Sequence, residues 1–302
     1  MKNKVLVIGS SNTDMVVQTA EFPKPGETVL GGTFLMNAGG KGANQAVAAA
    51  RLGADVRFVA KIGKDIFGHE AKKGFVKEGL DIDYLLETTE YASGIAQITV
   101  NANGENEIVV ASGANMNLLP ADLPDQIFEG VDFVLIQLEI PLETTAWIVE
   151  KCRKLNIKVV LNPAPAVSLD ETLLAGVFLI TPNETETQML TGIYPGNAES
   201  MQKAAGYFHR AGIEHVIITL GSAGVYLSNK HFTEIIPAQQ VKALDTTAAG
   251  DVFNGAILTA LASGEGWPEA CRFACRAAAI SVTRAGAQNS APYRQELIEK
   301  SA

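Results

Sequence analysis

The residues best suited to chemistry lie near position 250, where the chain reads Asp245-Thr246-Thr247-Ala248-Ala249-Gly250-Asp251 and continues into Val252-Phe253-Asn254-Gly255-Ala256. Small residues and a lone carboxylate fall where the pattern starts a helix. The unpaired N–H groups of a first turn and the positive end of the helix dipole make a place for an anion. Ala249 and Gly250 keep side chains out of its way, and Asp251 projects from the same turn. An anion pocket beside a carboxylate suits phosphoryl transfer to a hydroxyl, where positioning and charge stabilisation carry the catalysis. The competing reading is that Asp251 only caps the helix electrostatically.

Five further clusters follow strand-like runs. In Gly9-Ser10-Ser11-Asn12-Thr13-Asp14, Asn12 and Asp14 alternate and so face one way in an extended chain. An amide beside a carboxylate can bind a polyol, whose hydroxyls both donate and accept; turn formation is the alternative. Gly39-Gly40-Lys41-Gly42-Ala43-Asn44-Gln45 allows close backbone approach to a ligand and adds Lys41 and Asn44 beside it, without the spacing of a phosphate loop. Gln137-Leu138-Glu139 puts a carboxylate at a strand end. In Thr181-Pro182-Asn183-Glu184-Thr185-Glu186, Asn183 and Glu186 either cap a helix or contact a nucleotide phosphate and hydrated Mg²⁺. Thr219-Leu220-Gly221-Ser222-Ala223-Gly224-Val225 reads as a strand, a turn and another strand, either a plain hairpin or a phosphate-holding turn.

These clusters need a scaffold that gathers strand ends. Strand-like runs at 4–8, 56–62, 133–137, 158–161, 177–181 and 216–219 alternate with helical stretches at 43–52, 68–78, 142–155, 184–191, 201–211, 249–263 and 268–284. That rhythm predicts an α/β fold with a largely parallel sheet, whose ligands bind at the carboxyl ends of the strands. Two regions break it. Residues 15–34 carry Pro23, Pro25 and a Gly-Gly pair, and 91–112 alternate about a turn at Asn103-Gly104. They are read as antiparallel pieces of a small separate sheet forming a lid, with an antiparallel extension of the main sheet as the alternative.

A chain of 302 residues with 47% hydrophobic content supports a large core. A net charge of −9 argues against a broad basic surface for nucleic acid or anionic membrane. No apolar run reaches membrane-spanning length and no signal-peptide layout opens the chain, so the expectation is a soluble, cytoplasmic protein. Cys152, Cys271 and Cys275 read as small core residues, with no zinc or iron–sulfur site expected.

Taken together, Asn12-Thr13-Asp14, the 39–45 segment, Asn162-Pro163-Ala164-Pro165, the 182–186 segment, 245–251 and Thr283-Arg284-Ala285-Gly286-Ala287-Gln288 resemble, in order along the whole chain, the ribokinase-like carbohydrate kinase family. Most members carry Gly-Ala-Gly-Asp, so Ala248 departs from the broad pattern. The resemblance implies a three-layer αβα sandwich with a mostly parallel central sheet. The core would span 1–14, 35–90 and 113–302, with a β lid at 15–34 and 91–112 that also makes a homodimer. It implies transfer from ATP to O5 of D-ribose, with Asp251 as base and the backbone of Ala248, Ala249, Gly250 and Asp251 as anion hole. Asn12, Asp14, Gly39, Gly40, Lys41, Asn44, Glu139 and Asp251 would hold the sugar. Asn183, Thr219, Gly221, Ser222, Gly224, Gly250 and Cys275 would bind ATP, and Glu186 would organise Mg²⁺ through water. Asp245, Thr247, Ser281, Arg284, Gly286 and Ser290 would surround K⁺. Acceptors of the same frame, 2-deoxyribose or another pentose or a nucleoside, and a non-catalytic sugar sensor are the alternatives.

Overall fold

Apolar runs without alternation, such as Val5-Leu6-Val7-Ile8, form strands covered on both faces. The computed structural model describes residues 4–299, so the expected core ends at 1–3 and 300–302 lie outside the described residues. Its main sheet has the order Thr233–Ile236, Val225–Ser228, His215–Thr219, Leu179–Ile180, Lys158–Leu161, Val131–Ile136, Lys4–Ile8 and Asp55–Val59. The six strands from His215–Thr219 to Asp55–Val59 pair in parallel, and a hairpin closes the other edge in antiparallel fashion. Along the first strand, Val5 and Val7 pack into one apolar cluster and Leu6 and Ile8 into another, so a helical layer covers each face.

The helix Lys41–Arg51 packs on Ala249–Ala262 at close range. Only Gly255 allows this approach: a Cβ there would lie 2.7 Å from Gln45 O and 2.8 Å from Ala49 N. The crossing brings the polar start of one helix to the polar start of the other. Helix Lys41–Arg51 begins two residues before the expected start at 43, because Gly40, at φ 87°, turns the chain directly into it.

A separate four-stranded sheet has the order Thr33–Gly39, Asn12–Gln18, Gly94–Val100 and Asn106–Ala111. Its outer pairs are antiparallel, but the central pair, Asn12–Gln18 with Gly94–Val100, runs parallel. The expectation of purely antiparallel pieces is corrected there. Both central strands leave the core in the same direction, which local alternation does not record. The sheet also reaches beyond 15–34, since Asn12 pairs with Gly39 and Asp14 with Asn37. The expected strand at 56–62 divides at Ala60, and Lys61–Gly63 pairs with Leu86–Thr88 instead. Among the described residues, no helix is long and apolar enough to cross a membrane.

Candidate active site

Asp251 stands in the first turn of Ala249–Ala262 and is only 6% exposed. Asn44 Nδ2 donates to its Oδ2 and Gln45 Nε2 to its Oδ1, each at 2.9 Å. Ala248 precedes the helix in the left-handed region, at φ 58°. A residue with a Cβ is strained there by about 1–2 kcal/mol, which explains physically why glycine is the commoner choice at such a bend. The Ala249 amide donates to Thr246 O at 3.2 Å. It is therefore committed to that bond, and Gly250 and Asp251 supply the amides of the first turn that have no internal acceptor.

On one side of Asp251 lie the residues expected to bind a polyol. Asn12 and Asp14 sit on one strand and face one way, as their spacing predicts. Asn115 Nδ2 donates to Asn12 Oδ1 at 2.7 Å, and Asn115 Oδ1 accepts the Ser11 amide at 2.9 Å. Asn115 thereby points the Asn12 amide nitrogen outward as a donor. Glu139 Oε2 accepts from Ser10 Oγ at 2.5 Å and from the Lys41 amide at 3.0 Å. Gly39 leaves room for Asp14, because a Cβ there would fall 2.3 Å from either carboxylate oxygen. Burial first, then the Glu139 and Asp251 charges, push the Asp14 carboxyl up to about 6. Burial alone would lower the Lys41 ammonium, but the carboxylates of Asp251, Glu139 and Glu186 outweigh it and hold the group above its ordinary range. The 39–45 segment thus supplies one cation among four carboxylates, Asp14, Glu139, Glu186 and Asp251.

On the other side opens a cleft of about 490 Å³, of the size that small-molecule ligands occupy. Asn183, Thr219, Gly221, Ser222, Gly224, Gly250 and Cys275 all line it. Thr246 and Phe253 line it too, and the sequence reading gave neither a role. The Asn183–Glu186 capping box forms, with Asn183 Oδ1 accepting the Glu186 amide and Glu186 Oε2 the Asn183 amide, each at 2.8 Å. The cap and the cleft are compatible, since Asn183 serves the helix and still borders the cavity. Burial raises the Glu186 carboxyl above its ordinary value despite the Asn183 N–H and Lys41. Burial pushes the Cys275 thiol up to about 11, so it is a neutral, apolar part of the wall.

The segments at 245–247 and 281–290 meet, through Asp245 and Gly286, beside the turn that starts Ala249–Ala262. Asp245 accepts the Thr247 amide at 2.9 Å and the Gly286 amide at 2.8 Å. Burial works against its ionisation, but the Thr247 hydroxyl, together with the Gly286 and Thr247 amides, holds its carboxyl below the usual range. Ser281 Oγ turns to Ala278 O and Ser290 Oγ to Ala287 O, while the Arg284 side chain pairs with Glu296. What these residues can offer a cation is oxygen: one ionised carboxylate and main-chain carbonyls.

Asn115, Asn162, Thr181 and Asn254 are site-building residues that sequence reasoning left without a role. All are buried, and their partners are remote in sequence: Asn115 is bonded to Asn12, and Thr181 Oγ1 to Asn254 Oδ1 at 2.6 Å. A buried polar residue just past an apolar run, as at Asn162 and Thr181, was the available signal.

The profile of the pfkB family carbohydrate kinases matches residues 2–294. A ribokinase of Haemophilus influenzae is 47% identical over 99% of this chain and 98% of its own. A deoxyribokinase of Salmonella typhi is 36% identical over 98% of this chain and 97% of its own. The structure of Arabidopsis thaliana ribokinase complexed with ribose and ATP superposes with a TM-score of 0.92 at 32% identity, covering 99% and 98% of the two chains. With this sheet order, this paired site and these relatives, the chain belongs to the pfkB family of carbohydrate kinases.

Proposed function

We propose that this chain transfers the terminal phosphoryl group of ATP to O5 of D-ribose, giving ADP and ribose 5-phosphate. The observation that carries the reading is the place of Asp251. It joins a buried polyol-binding cluster, through Asn44, to a first turn whose neighbour Gly250 lines the nucleotide cleft. Asn12, Asp14, Lys41, Asn44 and Glu139 hold the sugar hydroxyls, and Gly39 and Gly40 let it approach the backbone. Asp251 orients the 5-hydroxyl and accepts its proton as the O5–phosphorus bond forms and the bond to the ADP oxygen breaks. The Gly250 and Asp251 amides, which have no internal acceptor, take up charge on the transferring group.

The site is rich in hard oxygen donors, and its carboxylates outnumber Lys41, which fits Mg²⁺. Glu186 would hold it through water, and the ion would neutralise charge on the ATP phosphates. The Asp245 carboxylate and the carbonyls near Ser281, Gly286 and Ser290 fit K⁺, with Thr247 and Arg284 contributing main chain. Because Asp245 ties Gly286 to the anion loop, a cation there would steady the loop's amides. The four-stranded sheet exposes Phe34 at 58%, Met36 at 54% and Val109 at 69% on one face, an apolar surface that fits a second copy. The sheet is then both lid and homodimer interface.

ADP release with ATP, Mg²⁺ and K⁺, measured in parallel on D-ribose, 2-deoxyribose, fructose and adenosine, tests the reading. D-ribose leads if it is right. A lead for another acceptor moves the specificity, and sugar binding without turnover makes the protein a sensor.

A further inference from the structure

We infer that Gln45 is a positioning residue for phosphoryl transfer, acting through Asp251. The inference rests on the reading of Asp251 as proton acceptor. Gln45 has no exposed surface, and its amide is almost fully committed. Nε2 donates both to Asp251 Oδ1 and to Asn162 Oδ1, each at 2.9 Å, while Oε1 accepts from Gln137 Nε2 at 2.6 Å. Turning the amide over would set its oxygen against the Asp251 carboxylate and the Asn162 carbonyl, and its NH₂ against that of Gln137. All three bonds would be lost together in a buried setting. The orientation is therefore fixed, and with it the side of Asp251 that stays occupied.

The supports of Gln45 come from the sheet. Gln137, Asn162 and Thr181 are the residues immediately beyond the strands Val131–Ile136, Lys158–Leu161 and Leu179–Ile180, which lie side by side. Asn162 Nδ2 donates to Thr181 O at 3.3 Å, Thr181 Oγ1 to Asn254 Oδ1 at 2.6 Å, and Asn254 Nδ2 to Gly250 O at 2.8 Å. The bonds close a ring from Asp251 through Gln45, Asn162, Thr181 and Asn254 back to the first turn of the same helix. The carboxylate and the anion-binding amides are thus registered against one rigid sheet edge. A small misplacement at such a point is costly in rate.

The test is a set of variants of the full chain: Gln45→Met, Gln137→Met, Asp251→Asn and the two doubles. Each is assayed for kcat, for KM of ribose and ATP, and for thermal midpoint. Gln45→Met should lower kcat on the order of 10²-fold, with both KM values within a few-fold. Gln137→Met, one bond further away, should lower kcat less. In the Asp251→Asn background neither should lower kcat further, because the group they position is gone. A Gln45→Met kcat within twofold of the parent, or an equal fractional loss in both backgrounds, overturns the inference. If Gln45→Met does not fold, the Gln137→Met pair decides by the same criterion. Near-normal turnover by Asp251→Asn overturns the base reading and the inference together, whereas a slow Asp251→Asn beside a normal Gln45→Met overturns the inference alone.

Discussion

On the side of Asp251 proposed for the sugar, a Cβ added to Gly42 would stand 2.5 Å from Ser10 N, and one on Gly94 would stand 2.1 Å from Asn12 Oδ1. On the side proposed for the nucleotide, a Cβ on Gly250 or Gly221 would meet nothing within 4 Å, although one on Gly224 would stand 2.1 Å from Ile236 O. The first region is packed by the protein against itself, with Glu139, Asp251 and Asn12 Oδ1 already hydrogen-bonded. The second is open space bordered by backbone and apolar walls. The difference teaches that selectivity and acceptance are built by different means. A site with committed buried partners rejects an acceptor that leaves one of them unpaired, while an open cleft can receive a large flexible ligand without reorganising.

Alanine placed on each side tests that contrast. Gly250→Ala fills free space at a helical position, so its thermal midpoint should hold or rise, by up to about 1 kcal/mol of stability. Turnover should still fall on the order of 10²-fold, because the methyl intrudes where the phosphoryl group passes. Gly42→Ala meets backbone and should lose about 1–3 kcal/mol of stability together with sugar affinity. Calorimetric melting and steady-state kinetics on the pair break the contrast if both variants lose stability alike.

Asp14 sharpens it through pH. Its carboxyl is raised from 3.8 to about 6, so on the proposed reading it offers sugar hydroxyls a charged, donor-free acceptor only above that range. The ratio kcat/KM for ribose should fall about tenfold per pH unit below about 6, read from a pH profile. For stability the sign is opposite. A carboxyl raised on folding favours the fold below its unfolded value of 3.8, and that support is lost as pH rises through about 6. Asp14→Asn should therefore raise the melting temperature at pH 8 while weakening ribose binding; a fall in both would make Asp14 a structural residue.

The smallest effect is expected at Ala248→Gly. Relief of the left-handed strain, about 1–2 kcal/mol, is partly offset by the greater freedom of glycine in the unfolded chain, about 0.4–1 kcal/mol. Stability should rise by about 0–1.6 kcal/mol, with turnover near that of the parent, by melting and assay.

The anion turn, the Asn12/Asp14 pair and the glycine-rich entry to Lys41–Arg51 were legible because each is a local device: a first turn, a period of two, a Gly40 that bends the chain. The residues expected at the nucleotide line one cleft, most of them at the ends of strands and the starts of helices, with Cys275 reaching it from within the helix Trp267–Ser281. What local pattern missed is contact between distant segments. Gln45 reaches Asp251 across 206 positions and Asn162 across 117. Asn115 reaches Asn12 across 103 from a 3₁₀ turn with no pattern of its own. The break at Ala60 was missed because Phe58-Val59-Ala60 and Ile62 are apolar and the single Lys61 between them does not end a strand pattern. Only the pairing of Lys61–Gly63 with Leu86–Thr88 divides it.

The most direct test of Asp251 at the meeting of the two sides is Asp251→Asn, with turnover and ribose binding measured on the same preparation. The account predicts a loss of about 10²–10⁴ in kcat, with ribose affinity, by titration calorimetry, within a few-fold of the parent. Turnover close to the parent, with ribose still bound, would contradict it and take the proton-accepting role away from Asp251.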